Sequence, residues 1–138
     1  MNKSPSETMN RKAITVGLLL FISFLTGCNA SPDKFGKLDI AKWRSDRGGC
    51  YGIRATLLND FNAVRQDFKS THVNDLGSLL GRPDINSIAE RNQKYYVYFL
   101  EKGIHCEDPK QKSTARSVAF RISAIGLVTE ITFQNGMP

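Results

Sequence analysis

The chain is poor in the residues that enzymes most often rely on: its 138 residues hold two histidines, three cysteines and one tryptophan. It has no G-x-S-x-G elbow, no H-E-x-x-H, no P-loop and no G-x-G-x-x-G, so the best-known hydrolase, metalloprotease and nucleotide-binding chemistries lack their scaffolds. His72 and His105 have no carboxylate at a spacing that makes a catalytic pair, and a Cys50–His105 dyad would be silenced by oxidation of Cys50. Catalysis needs a convergent set of titratable or nucleophilic groups. None is legible, so the expectation is a protein that is not an enzyme and has no cofactor. A long apolar run is missing too. The predominantly apolar stretch at the N-terminus, Ala13 to Leu25, has about 13 residues, whereas a membrane-spanning helix needs roughly 20.

What is present at the N-terminus fits export. Arg11 and Lys12 precede that apolar stretch, which has the length of a signal h-region. It ends in Leu25-Thr26-Gly27-Cys28, which resembles the lipobox of bacterial lipoproteins: a branched residue, two small ones, and the cysteine that takes the lipid. The resemblance implies a signal peptide over 1–27, lipidation of Cys28 and membrane attachment, and two or three acyl chains anchor stably where one does not. Asn29 stands where an aspartate would favour inner-membrane retention, so an outer-membrane location facing the periplasm is expected. Met9 begins a second possible start, Met9-Asn10-Arg11-Lys12, that would give a signal of ordinary length.

Setting aside Lys3, Glu7, Arg11 and Lys12, residues 28–138 carry a net charge of +4, scattered without a basic stripe. That argues against nucleic acid and allows contact with anionic surfaces. With Cys28 committed to lipid, Cys50 and Cys106 remain, an even pair that an oxidising compartment most simply joins in a disulfide. Two free thiols and a metal site are the alternatives. A Cys2His2 zinc site from Cys50, Cys106, His72 and His105 lacks the close ligand pairs that structural zinc uses, so no metal is expected.

Residues 28–37 read as the lipidated cysteine and a polar linker, and 38–138 as one globular domain. Asp39 is placed to cap a short turn carrying Ile40 and Trp43. Ile53, Leu57, Phe61, Val64 and Phe68 mark one face of a helix, with Arg54, Asn59, Gln66 and Asp67 on a solvated face. Val73, Leu76, Leu79 and Leu80 mark a second helix, with Ser70 and Thr71 as cap candidates, a left-handed cap at Gly81 and a stop at Pro83. Lys94 to Leu100 is an aromatic strand, 107–116 a polar loop, and the segments around Phe120 and Ile131 a hairpin joined at Ser123–Gly126. The expected fold is therefore α+β: two helices packed on a three-stranded antiparallel sheet. Trp43, Tyr95, Tyr96 and Tyr98 are the candidate partner contacts, with burial of Trp43 in the core the more ordinary outcome.

The stop Leu79-Leu80-Gly81-Arg82-Pro83-Asp84, the strand Tyr95 to Leu100 and the hairpin ending Gly126 to Phe133 resemble the SmpA/OmlA (BamE-like) family of small outer-membrane lipoproteins. The resemblance covers roughly residues 70–133. Lys69-Ser-Thr-His-Val73 replaces the family's Gly-Met-Thr-like approach to the second helix, and the long first helix and the Cys50/Cys106 pair lie outside the basic pattern. It implies an accessory that touches partner proteins and lipid in envelope assembly. The same layout also resembles β-lactamase-inhibitor-type domains, which implies the alternative of an inhibitor-like, ligand- or peptide-binding lipoprotein.

Overall fold

The computed structural model describes residues 31–138; the signal segment and Cys28 lie outside them. The described chain opens with a small hairpin, β1 (Lys34–Phe35) and β2 (Leu38–Asp39), paired antiparallel. Phe35 stacks on Phe68 with ring centres 4.7 Å apart. The last residues of the expected linker therefore belong to the domain, because an aromatic anchor draws them onto its core.

Asp39 ends β2 and caps α1 (Ile40–Ser45), its carboxylate accepting the Lys42 N–H at 2.9 Å. That hydrogen bond, and after it the Lys42 charge, holds the Asp39 pKa below the usual carboxylate value. A lowered folded pKa gives stability that is present above the unfolded pKa and is lost as pH falls through the folded one. Asp39→Asn keeps an acceptor but no titration, so its stability should fall less than that of the parent as pH drops below about 4. Urea unfolding at a series of pH values checks this, and parallel pH profiles would refute it.

The apolar periodicity over 53–68 gives a helical segment, though not one continuous helix. It divides into α2 (Ile53–Thr56), α3 (Leu58–Val64) and a 3₁₀ turn over Arg65–Phe68. At the break, Leu57 leaves helical geometry with ψ near 2°, and the Thr56 hydroxyl donates to the Ile53 carbonyl at 2.7 Å. Such back-bonding competes with the backbone ladder. The apolar face survives the interruption, since Leu57, Phe61, Val64 and Phe68 are all buried.

Helix α4 spans Val73–Leu80. Its cap is His72, whose ring nitrogen accepts the Asn74 N–H at 3.2 Å, rather than Ser70 or Thr71. Those two residues instead exchange backbone hydrogen bonds with Val128. Gly81 ends α4 with φ +80°, as expected of the stop, and its extended ψ of −177° turns the chain away instead of completing a left-handed cap.

The sheet has four antiparallel strands in chain order: β3 (Ile85–Ala89), β4 (Gln93–Phe99), β5 (Arg116–Ile122) and β6 (Val128–Asn135). Three match the expected strands; β3 corrects the expected three-stranded sheet. Its five residues are half exposed, and its turn to β4 uses Arg91 and Asn92 at φ 59° and 57°. With no glycine in that turn, the usual hairpin signal is missing. The β5–β6 hairpin forms as expected, closed by the Gly126 N–H on the Ser123 carbonyl at 3.0 Å. A bulge at Thr129 then shifts the register, pairing Arg121 with Glu130 but Ile122 with Val128.

The helices cover one face of this sheet. Phe61 and Phe68 meet Phe120 edge-on at 6.2 and 6.0 Å, and Trp43 stacks on Phe61 at 4.8 Å. Tyr98, Val118, Phe120, Ile122, Val128 and Ile131 supply the sheet side of the core. The fold is α+β, with helices and sheet sharing one hydrophobic core.

Candidate binding site

Where α1 ends, the chain makes a tight glycine-rich turn, Arg47–Gly49, before α2. Gly49 sits at φ +67° against the backbone of β4's exit. A Cβ there would lie 2.7 Å from the Glu101 nitrogen, so close approach and conformation both require glycine. The turn is pinned by two aspartates. Asp46 accepts the N–H groups of Tyr51 and Arg54, both at 2.8 Å. Asp84, directly after Pro83, accepts the N–H of Gly48 at 2.9 Å and of Phe99 at 2.8 Å.

Arg54 completes this hub. Its side chain is 1% exposed and forms an ion pair with Asp84, whose own side chain is 6% exposed. It also donates to the Trp43 carbonyl at 3.2 Å and the Phe99 carbonyl at 3.0 Å. Its guanidinium lies 5.2 Å from the Trp43 ring centre and 5.6 Å from that of Tyr98. Arg54 was expected on a solvated helix face; that expectation assumed one unbroken helix. It stands instead inside, on the short α2, held there by Asp84 and by the Trp43 and Phe99 carbonyls.

The disulfide forms between Cys50, at the end of this turn, and Cys106, in a 3₁₀ turn over Ile104–Cys106, with Cα atoms 5.8 Å apart. His105 lies between the bridge and the sheet. Its ring stacks on Phe99 at 3.8 Å and its Nε2–H donates to the Gly48 carbonyl at 2.7 Å. Ligand atoms of Cys50, His105 and Cys106 lie within 4.8 Å of one another. With both sulfurs joined, no thiolate is offered to a metal. His72, the fourth residue of the paper zinc set, is held instead at the N-terminus of α4.

The disulfide, His105 and the Asp84 hub form one wall of a cleft of about 510 Å³. Ile85, Phe99, Pro109 and Met137 give it apolar surface, and Arg47, Lys110 and Lys112 give it cations. Among the described residues none of these three cations has a carboxylate within ion-pairing distance. The one carboxylate on the wall, Asp84, is neutralised by Arg54 and has both oxygens occupied. Next to this cleft lies a smaller one of about 270 Å³, which shares Arg47 and Asp84 and adds Arg82, Asn86 and Tyr96.

The aromatic contact candidates divide. Trp43 and Tyr98 are fully buried, which overturns them as partner contacts. Trp43 fills the space between α1 and α3 against Phe61, and Tyr98 donates its hydroxyl to the Gly81 carbonyl at 2.8 Å, with burial holding its phenol pKa well above the ordinary value. Tyr95 and Tyr96 are half-buried on opposite faces, as strand alternation requires. Tyr95 donates to the Gln93 side chain at 2.8 Å, and Tyr96 lies under the Lys94 ammonium and lines the smaller cleft.

Cys28 lies outside the described residues. The cleft's own residues, Arg47, Lys110 and Lys112, were not singled out by sequence. Their only legible signal is position: each follows or sits in a loop next to Cys50 or Cys106, where a disulfide gathers loops together. Among the described residues no helix is long and apolar enough to cross a membrane. No family model, curated protein or solved structure matches the chain.

Proposed function

We propose that this chain is a lipid-anchored accessory protein of the bacterial envelope, held by Cys28 in the outer membrane with its domain in the periplasm. It acts by binding another envelope protein in outer-membrane or envelope assembly, not by catalysis. The observation that carries this reading is the Cys50–Cys106 bond. It suits an oxidising compartment and leaves Cys28, at the end of a lipobox-like sequence, as the cysteine for lipid. The order of helix stop, aromatic strand and terminal hairpin supports the likeness to SmpA/OmlA (BamE-like) lipoproteins.

The test is lipid labelling and fractionation of the full chain. Incorporation of a labelled fatty acid, lost in Cys28→Ala, with the parent in outer-membrane fractions, is the expected result. An unlabelled protein, or one found in the soluble fraction, would remove the anchor. Cross-linked affinity purification from intact envelopes then tests the accessory role, and recovery of no reproducible partner counts against it.

A second reading, a ligand- or peptide-binding lipoprotein, is favoured by the cleft beside the disulfide. A concave site of this size with a few convergent polar groups is how binding sites usually present themselves, and among the described residues the exposed large hydrophobics, Tyr51, Ile88, Ile104, Ile125 and Met137, include no aromatic of the sheet.

A further inference from the structure

We infer that the paired clefts around Arg47 form a recognition groove for an acidic peptide segment of a protein partner, one that sets carboxylates on the cations and an apolar side chain on the apolar surface of the larger cleft. The inference deepens the binding role proposed above and names its partner's chemistry.

Charge comes first. Arg47, Lys110 and Lys112 line the larger cleft unpaired. Of the nearby acids, Asp84 is paired with Arg54 and Glu107 lies 3.9 Å from Lys102, while Asp108 keeps its charge, accepts from the Lys110 N–H and the Gln111 amide, and does not line the cleft. The cleft thus has an uncompensated positive charge, which attracts and orients an anionic partner.

Shape comes second. A small anion would be satisfied by one cluster of donors, whereas here the basic lining continues past Arg47 into the smaller cleft at Arg82. Cations spread over two adjoining clefts match charges spaced along a chain. In the larger cleft Ile85, Pro109 and Met137 offer apolar surface that a bare phosphate or carboxylate would not use.

Rigidity comes third. The walls are fixed by the disulfide, by the stack of His105 on Phe99 and by the two carboxylate hydrogen bonds that hold Gly48 and β4 to Asp84. A groove already in its bound shape loses little conformational freedom on binding.

The experiment is a calorimetric titration of the full chain, purified in a non-ionic detergent, with the peptide Glu-Glu-Leu-Glu-Glu blocked at both ends, in low salt and in about 0.5 M salt. Saturable binding that weakens in high salt is expected, with affinity falling about tenfold or more in Arg47→Glu and in Lys110→Glu/Lys112→Glu. Arg91→Glu, a charge reversal at the far end of the sheet, should bind like the parent. Far-UV circular dichroism establishes that each variant is folded, and these positions are exposed. The inference is overturned by no binding at millimolar peptide, by equal loss in Arg91→Glu, or by inorganic phosphate competing as well as the peptide. Anionic vesicles that bind in place of the peptide also overturn it, assigning the groove to a membrane surface. A failed titration leaves fatty-acid labelling and cross-linked partners untouched, so the two proposals fail separately.

Discussion

Asp84→Asn is expected to destabilise the domain by about 3–5 kcal/mol, because it leaves the Arg54 guanidinium buried without its counter-charge. The asparagine has the right size, but its NH2 must take the place of either the oxygen that accepts from Gly48 or the one that accepts from both Arg54 and Phe99, so at least one buried donor loses its acceptor. For a domain whose whole stability is of the order of 5–15 kcal/mol, that is a large fraction. Arg54→Met should cost a similar amount for the complementary reasons: Asp84 keeps two N–H donors but loses its cation, and the Trp43 and Phe99 carbonyls lose theirs. Because both variants break the same contact, the double variant should cost less than the two singles added, with a coupling of about 1–3 kcal/mol. Urea unfolding of the four proteins measures the cycle. Additive losses, or a loss below about 1 kcal/mol for Asp84→Asn, would show that the pair contributes little.

Removal of the disulfide is the second large effect. The bridge spans a sequence separation of 56 residues, and in the chain-entropy model a loop of that length contributes about 4 kcal/mol by restricting the unfolded chain. Cys50→Ser/Cys106→Ser should lower stability by about that amount and still fold, because the hydrophobic core between helices and sheet contains neither cysteine. The local consequence should exceed the global one near the cleft. With the bridge cut, the Ile104–Cys106 turn keeps the ring stack of His105 and the bond to the Gly48 carbonyl, and little else ties it to the turn that follows α1. Amide exchange over residues 104–113 should therefore quicken more than exchange in β5. Equal quickening in both, or a stability loss under about 1 kcal/mol, would contradict this account.

Much of the fold was legible because burial imposes a period. The apolar steps over 53–68 survive into the structure because one face of the helical segment must be dry, and the stop at Gly81 and Pro83 survives because it is set by backbone conformation. Simple alternation does not, since Ser117 to Phe120 of β5 are all buried and the bulge in β6 turns Val128 inward and Thr129 outward. The Asp39 cap was legible because it acts over three residues. What escaped were β3, whose hairpin turn lacks glycine, and the division at Leu57, where a threonine hydroxyl and local packing outweigh a continuous helical pattern. Arg54 escaped because its partners, Trp43, Asp84 and Phe99, lie 11, 30 and 45 residues away in sequence.

By itself the sequence determined the mixed α and β character of the domain, and it made a Cys50–Cys106 disulfide the simplest of several expectations for that pair; the export signal and the lipid site at Cys28 are proposals that rest on sequence alone. Those properties depend on local order, residue counts and periodicity. Only the tertiary structure decided that Asp84 of the helix stop meets Arg54 from 30 residues earlier, that Trp43 and Tyr98 are core, and that Arg47, Lys110 and Lys112 surround one cleft. The physical reason is that charges far apart in the chain acquire a common site only when folding and the Cys50–Cys106 bond draw their loops together. No local pattern encodes that distance.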